Sequence, residues 1–342
     1  MTTSRPTARL QSIAVAVPDR VVTNAELAAA HPEWRMSEVA LRSGVESRRW
    51  CEPGETALDL GVTASQRLLA QAGLDPSDID AVLFCTQTPD FVMPANACLL
   101  QARLGLPTST PTIDFTHACS GFVYGLYLAK ALVESASARR VLFVTAESYS
   151  KWFNANDRGP ATLFGDGAAA ALVSEGPEGI SPVALGTDGK GAGIFCVPAG
   201  GARRPRSAES AVERADPYGN RRTPENLLMD GAAVLAFVGR VIPEFVRRFM
   251  AESGETWDTI DLVVFHQGSR LALESLAERL QIPREKVFTN LESVGNTVSA
   301  SIPIALWDAH AAGRLRPGMR VLLVGFGVGM SWGACTIRWD GI

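Results

Sequence analysis

Ile79-Asp80-Ala81-Val82-Leu83-Phe84-Cys85 and Ile260-Asp261-Leu262-Val263-Val264-Phe265-His266 are variants of one phrase, 181 positions apart. A second pair, Arg140-Val141-Leu142-Phe143-Val144 and Arg320-Val321-Leu322-Leu323-Val324, stands 180 positions apart. Two matches at nearly one offset point to an internal duplication, with a period far too long for a solenoid. All four runs are almost continuously apolar, as strands covered on both faces of a layered α/β protein are. Helical patterns alternate with them. Residues 55–73 carry Leu58, Val62, Leu68 and Leu69 at helical spacing and end on Gly73, a plausible C-cap. Residues 269–282 set Leu271, Leu276 and Leu280 on one stripe. Residues 13–17, closed by Pro18-Asp19, read as a first strand. The expectation is two similar halves, 1–178 and 179–342, with sites drawing on both.

The 342 residues, 46% of them hydrophobic, suffice for a large core. A net charge of −4 supplies no global basic field for nucleic acid. Six cysteines without C-x-x-C spacing exclude a disulfide scaffold and a metal finger. No run approaches the roughly 18 apolar residues of a membrane span. The N-terminus lacks the apolar region and cleavage site of a signal peptide. A cytoplasmic protein with free thiols is therefore expected. Segment 197–226, rich in Pro, Gly, Arg and Ser, reads as a solvated surface insertion with no core of its own. Residues 186–193 (GTDGKGAG) lack the spacing of a phosphate loop. Residues 325–329 (GFGVG) precede another strand pattern where a dinucleotide site needs a helix.

Three polar candidates remain. Cys119 precedes the apolar helical stretch FVYGLYLAKALVES. A helix N-terminus favours a thiolate, the nucleophilic form and a capable acyl acceptor. Cys51, Cys85, Cys98, Cys196 and Cys335 precede no such helix and read as buried structural thiols. His266, one of only four histidines with His31, His117 and His310, ends a buried strand. That place suits a satisfied core group or a catalytic one. Asn296 opens a second apolar helix, where it serves as a cap or as a hydrogen-bond donor. The offset of 181 maps Cys119 onto residue 300, beside Asn296, and His266 onto Cys85. The duplication thus brings all three toward one interface.

At these residues the sequence resembles the β-ketoacyl-acyl carrier protein synthase III family of thiolase-fold condensing enzymes, over essentially the whole chain. The matching stretches are ACSGF (118–122), FHQ (265–267), GNTVSASIP (295–303), FGDGAAA (164–170) and FGVGMSWG (326–333). The resemblance implies a duplicated thiolase-like α/β fold, layered αβαβα. Its N-terminal half (1–178) would carry the nucleophile and its C-terminal half (179–342) the His and Asn. It implies acyl transfer to Cys119, then decarboxylative Claisen condensation with a malonyl thioester, in fatty-acid or related lipid metabolism. His266 and Asn296 would donate to the enolate oxygen. The backbone N–H groups of Cys119 and Val328 would hold the second oxyanion.

Coenzyme A or phosphopantetheine thioesters would be substrates, with no metal or other cofactor. The partners implied are an acyl-coenzyme A or acyl-carrier donor, a malonyl-carrier acceptor and a second copy in a homodimer, with neither nucleic acid nor membrane. Arg42 and Arg158 match positions facing the nucleotide end of coenzyme A. Ser269 follows the histidine motif where an asparagine is usual. Glu38 takes the place of a tryptophan, for which Trp34 stands nearby. Met93 replaces a phenylalanine that closes the acyl pocket across the dimer interface. Arg270 and Arg279 would face an acidic carrier protein. A non-decarboxylating acyltransferase on the same scaffold is the competing expectation, and a non-catalytic binding module is disfavoured by the presence of Cys119.

Overall fold

Alternation decides how the strands are used. In Ala81–Cys85, Ala81, Leu83 and Cys85 point to one buried side, Val82 and Phe84 to the other. Both faces are covered, so the strand is apolar throughout. The computed structural model describes residues 6–177 and 179–342. The expected end of the first half, at residue 178, lies outside the described residues.

The first sheet contains β1 (Ala8–Ala16), β2 (Ala81–Cys85), β3 (Thr112–Phe115), β4 (Arg140–Glu147) and β5 (Gly167–Glu175), in the order β1-β5-β4-β2-β3. The second contains β6 (Ala184–Thr187), β7 (Leu262–Phe265), β8 (Arg320–Gly327) and β9 (Ser331–Arg338), in the order β7-β8-β9-β6. Read from the opposite edge, β6-β9-β8-β7 repeats β1-β5-β4-β2. The directions repeat too: two antiparallel pairings, then a parallel one. Even β3 has a trace of a counterpart, a parallel bridge from Val287 to Val263.

Five layers follow. Helices α1 (Ala57–Ala72) and α2 (Asn96–Leu104) cover the outer face of the first sheet. Further along the chain are α3 (Gly121–Glu134), the short α4 (Arg158–Leu163), α5 (Gly231–Ser253), α6 (Arg270–Leu280) and α7 (Ser301–Ala311). Helices α5 and α6 cover the outer face of the second sheet. Between the sheets lie α3 and α7, one from each half. Being surrounded, they are apolar on most sides; Leu126 and Leu306 have no exposed surface. Truncating either to alanine costs about 2–5 kcal/mol. The fold is the duplicated thiolase-like αβαβα arrangement.

Three local expectations need correction. The first strand begins at Ala8, five residues early, because Arg9, Gln11 and Ser12 hide an alternating pattern behind polar side chains and a bulge. On α6 the buried stripe is Ala272, Leu273, Leu276 and Leu280; Leu271 is 47% exposed, one residue off that face. Cys98 is exposed and Cys196 half-buried, whereas Cys51, Cys85 and Cys335 are buried as expected. Segment 197–226 is mostly exposed but not formless. Arg214–Ala215 pairs with Arg221–Arg222 in a small hairpin. Its arginines are largely spent internally: Arg222 reaches Asp157 at 2.6 Å and Asp216 at 2.5 Å, and Arg221 reaches Glu213 at 2.6 Å.

Candidate active site

Cys119 stands two residues before α3, in a turn closed by the Gly121 N–H donating to Ala118 O at 2.7 Å. It is 3% exposed. Strand β8 of the other half presses on it. A Cβ at Gly327 would lie 2.6 Å from Cys119 Cβ and 2.8 Å from its Sγ, so only glycine admits this approach. Backbone N–H groups of Val328 and of Cys119 itself hydrogen-bond toward the sulfur. Ser331 Oγ donates to the Val328 carbonyl at 2.7 Å, and Ser120 Oγ donates to Ser331 Oγ at 2.7 Å. The Val328 turn is thereby tied to the turn that carries Cys119. Left-handed backbone falls on Gly329 and not on Val328, so valine is tolerated there.

The resting sulfur is a thiol, contrary to the expectation of a thiolate. Burial pushes Cys119 up to about 12; the two backbone N–H groups pull it down only in part, and Glu147 adds to the rise. Desolvation outweighs the helix terminus here.

His266 follows β7 and is 3% exposed. Burial holds it down to about 3, partly opposed by a backbone hydrogen bond with Val298, so the imidazole is neutral. Its Nδ1 lies 2.7 Å from Ser301 Oγ, the first residue of α7. Ser301 Oγ also accepts from the Gln267 N–H at 3.4 Å, which frees its proton for Nδ1. This network assigns the ring proton to Nε2.

Asn296 is fixed by its backbone: its N–H donates to Leu163 O at 2.9 Å, and its carbonyl accepts from the Gly165 N–H at 3.0 Å. It is not a helix cap, since α7 is preceded by Ala300. Its Oδ1 accepts from the Val298 N–H at 2.9 Å, which leaves the Nδ2 protons unengaged among the described residues. Val298 adopts φ of 54°. A β-branched residue in that region costs about 1–3 kcal/mol, so surrounding contacts must hold the turn.

One such contact is Glu147, at the end of β4 and fully buried. It accepts from the Gln87 N–H at 3.0 Å, Thr88 Oγ1 at 3.3 Å and Ser299 Oγ at 2.8 Å. Burial pushes its carboxyl up to about 8. Sequence reasoning missed Glu147, Ser299 and Ser301. The available signal was an acid closing the apolar run 141–146, where a buried strand has no reason to place one.

Two cavities hold residues singled out in the sequence. A groove of about 710 Å³ is lined by Trp34, Glu38, Arg42, Arg158, Gly231 and Ser269. Residues expected at the donor from three separate places in the sequence (34–42, 158 and 269) thus share one groove. Trp34 offers little stacking surface: it is 5% exposed and lies flat on His31, with ring centroids 3.8 Å apart. The second cavity, about 260 Å³, is lined by Gln87, Tyr149, Trp152, Phe195, Leu227 and Val328. It is mainly apolar, and its Val328 wall adjoins Cys119.

Other expected residues lie apart. Arg270 lines a separate surface groove with Glu274 and Glu278, and Arg279 is exposed on the same helix. Met93 is 79% exposed beside Phe91 and Val92, and lines neither cavity. His117 stacks on Tyr124 and His310 accepts from Trp339 Nε1 at 3.3 Å, so both have structural partners. Among the described residues no cluster of His, Cys, Asp and Glu is able to hold a metal. No described helix is long and apolar enough to cross a membrane.

Comparison with known proteins identifies the family. Residues 113–189 match the model of 3-oxoacyl-[acyl-carrier-protein] synthase III, and residues 250–339 match its C-terminal model. The first stretch holds Cys119, the second His266 and Asn296. A Roseiflexus castenholzii protein named beta-ketoacyl-[acyl-carrier-protein] synthase III is 40% identical over 339 residues, 95% of this chain and 96% of its own. Streptomyces coelicolor beta-ketoacyl-[acyl-carrier-protein] synthase III 3 is 38% identical, covering 97% of each chain. A solved 3-oxoacyl-(acyl-carrier-protein) synthase III superimposes with a TM-score of 0.95 at 44% identity, covering 98% of this chain and 100% of that one. With full-length relatives at this identity and the same fold, the chain belongs to the 3-oxoacyl-[acyl-carrier-protein] synthase III family.

Proposed function

We propose that this chain is a condensing enzyme that joins an acyl group to a malonyl thioester. Cys119 Sγ attacks the donor carbonyl, and its proton leaves with the departing thiol. The Cys119 and Val328 N–H groups hold the oxyanion of that step. The malonyl thioester then loses carbon dioxide, and charge gathers on its thioester oxygen. His266 Nε2–H and the Asn296 amide donate to that oxygen, each donor being worth about 3 kcal/mol in the transition state. The carbanion attacks the acyl-Cys119 carbonyl and expels the sulfur, which regains a proton. The net products are a 3-oxoacyl thioester, carbon dioxide and the donor thiol.

The observation that carries this reading is the packing between the halves: Val298, which bonds to both Asn296 and His266, shares a buried cluster with Cys119, and Ser299 packs on the helix that follows Cys119. A neutral imidazole donates without first needing a proton, as enolate stabilisation requires. The pair has no evident use in simple acyl transfer to an oxygen or nitrogen nucleophile.

The donor is an acyl thioester of coenzyme A or carrier protein, and the acceptor a malonyl-carrier thioester. Arg42 and Arg158 meet the donor's phosphates in the 710 Å³ groove, where a guanidinium pairs in bidentate fashion. Glu38 opposes a phosphate, which favours a carrier-borne donor, and Arg270 and Arg279 offer that carrier two guanidinium contacts. The exposed loop 91–93 meets a second copy, making a homodimer in which Met93 closes an acyl pocket. No metal or separate cofactor takes part. The test is incubation with a panel of acyl donors and malonyl-carrier protein, with mass detection of products. A 3-oxoacyl-carrier product with stoichiometric carbon dioxide supports the reading; acyl esters or amides without carbon dioxide would refute it.

A further inference from the structure

Glu147 is fully buried, and no cation pairs with it among the described residues. Its hydrogen bonds cross the boundary between the halves. One carboxylate oxygen accepts from the Gln87 N–H and the Thr88 hydroxyl, just beyond β2. The other accepts from Ser299 at 2.8 Å, in the second half. Ser299 sits in the turn 296–301, between Asn296 and the Ser301 that holds His266. The same turn contains Val298, with its φ of 54°. Ser299 also packs on the nucleophile helix: a Cβ at Gly121 would lie 3.5 Å from Ser299 Cβ. On the first-half side, Gln87 accepts from the Tyr149 hydroxyl in the wall of the 260 Å³ cavity. One carboxyl therefore joins the cavity wall, the surroundings of Cys119 and the turn that carries Asn296.

We propose that Glu147 is a positioning residue for the condensation: through Ser299 it holds the strained 296–301 turn so that His266 and Asn296 aim at the enolate beside Cys119. This rests on the decarboxylating role proposed for that pair. The carboxyl's proton matters as well as its place. With no cation beside it, burial raises Glu147 to about 8. A neutral carboxyl, whose proton then sits on the oxygen facing Ser299 and donates to its hydroxyl, puts no charge next to the forming enolate and the expelled sulfur, whereas an ionised one, accepting from Ser299, repels both. The titratable groups facing it are Cys85, Cys119 and Tyr149, each raised by its own burial and therefore neutral near pH 8. Decarboxylation is accordingly expected to slow as pH rises through about 8.

The full chain is assayed for both half-reactions: acyl loading by intact mass, and carbon dioxide release from malonyl-carrier protein by the preloaded enzyme. Ser299→Ala should slow release by on the order of tenfold, with loading and malonyl KM little changed, since a small misplacement of donors acts on kcat. Glu147→Gln keeps the shape without an ionisable proton. It should retain most of the release at pH 7 and lose the decline above pH 8. Both substitutions are small, so the test stands even where Glu147→Ala fails to fold. Wild-type release and pH profile in both variants would overturn the proposal, as would equal loss of loading and release. Asn296→Ala separates the two levels. If it slows release alone while Ser299→Ala and Glu147→Gln do nothing, only the role of Glu147 fails. If Asn296→Ala slows both half-reactions equally, the assignment beneath it fails.

Discussion

The strands β2 and β7 occupy matching places in the two halves, yet they end differently. After Leu83-Phe84 comes Cys85, whose thiol meets the His117 carbonyl at 2.6 Å and whose pKa burial drives well up. After Val264-Phe265 comes His266, whose ring is held by Ser301 and by a backbone hydrogen bond with Val298. The helices behind them differ in the opposite sense. Helix α3 follows Cys119, whereas the matching place before α7 is Ala300, and the polar group moves to Asn296. One scaffold is used twice; on the proposed reading the chemistry is divided so that each half lacks what the other holds. Burial sets the protonation on both sides. It keeps the thiol and the imidazole neutral, so no step begins from a costly buried charge.

The division breaks most sharply at Cys119. Cys119→Ala should lower condensation by on the order of 10⁴-fold or more and abolish the acyl mass shift. Cys85→Ala, at a position the symmetry makes tempting, should leave that mass shift in place. Acylation that persists in Cys119→Ala would end the distinction between the two thiols. A smaller effect separates the donor groove from the outer face of α6. Arg158→Ala should raise the donor KM about tenfold, the loss of one charge-assisted phosphate contact. Arg279→Ala should raise KM only for carrier-protein substrates. Equal effects on coenzyme A and carrier thioesters would merge the two surfaces.

The histidine offers a test through stability. His266 is depressed to about 3 in the folded chain, against a usual 6.5. Between those values the unfolded chain binds a proton that the folded one refuses. The stability that neutral His266 supports is therefore complete above pH 6.5 and lost as pH falls through that window. His266→Asn should show a shallower fall in Tm from pH 7 to pH 4. Parallel Tm profiles would show that the ring is solvated or paired. The smallest expected effect is at Met93. Met93→Phe should shift acyl preference a few-fold toward shorter chains, because a flexible thioether yields where a rigid ring does not. An unchanged chain-length profile would place Met93 outside the pocket.

Much of this was legible in the residues. The paired phrases at 79–85 and 260–266 announced the duplication, because strands buried on both faces leave a long apolar signature. The edge strand β1 was shortened in reading because Arg9 and Gln11 interrupt its pattern. Cys119, His266 and Asn296 were singled out by position. The thiol's protonation was not legible, since the helix terminus is visible in sequence while the depth of burial is not. Nor was Glu147, whose meaning depends on Ser299, 152 positions away. Tertiary partners of that kind leave no local pattern. The convergence of Trp34, Arg42, Arg158 and Ser269 on one groove likewise needed the fold.

The division of labour is tested most directly by the mass of the enzyme during turnover. Asn296→Ala and wild type are mixed with acyl donor and malonyl-carrier protein together and sampled by intact-protein mass spectrometry. If the first half loads and the second decarboxylates, Asn296→Ala accumulates as the acyl-Cys119 form while product formation falls by about 10²-fold. Wild type should cycle with a mixed population. Asn296→Ala that stays unacylated, while its product formation falls just as far, would contradict the separation of roles between the halves.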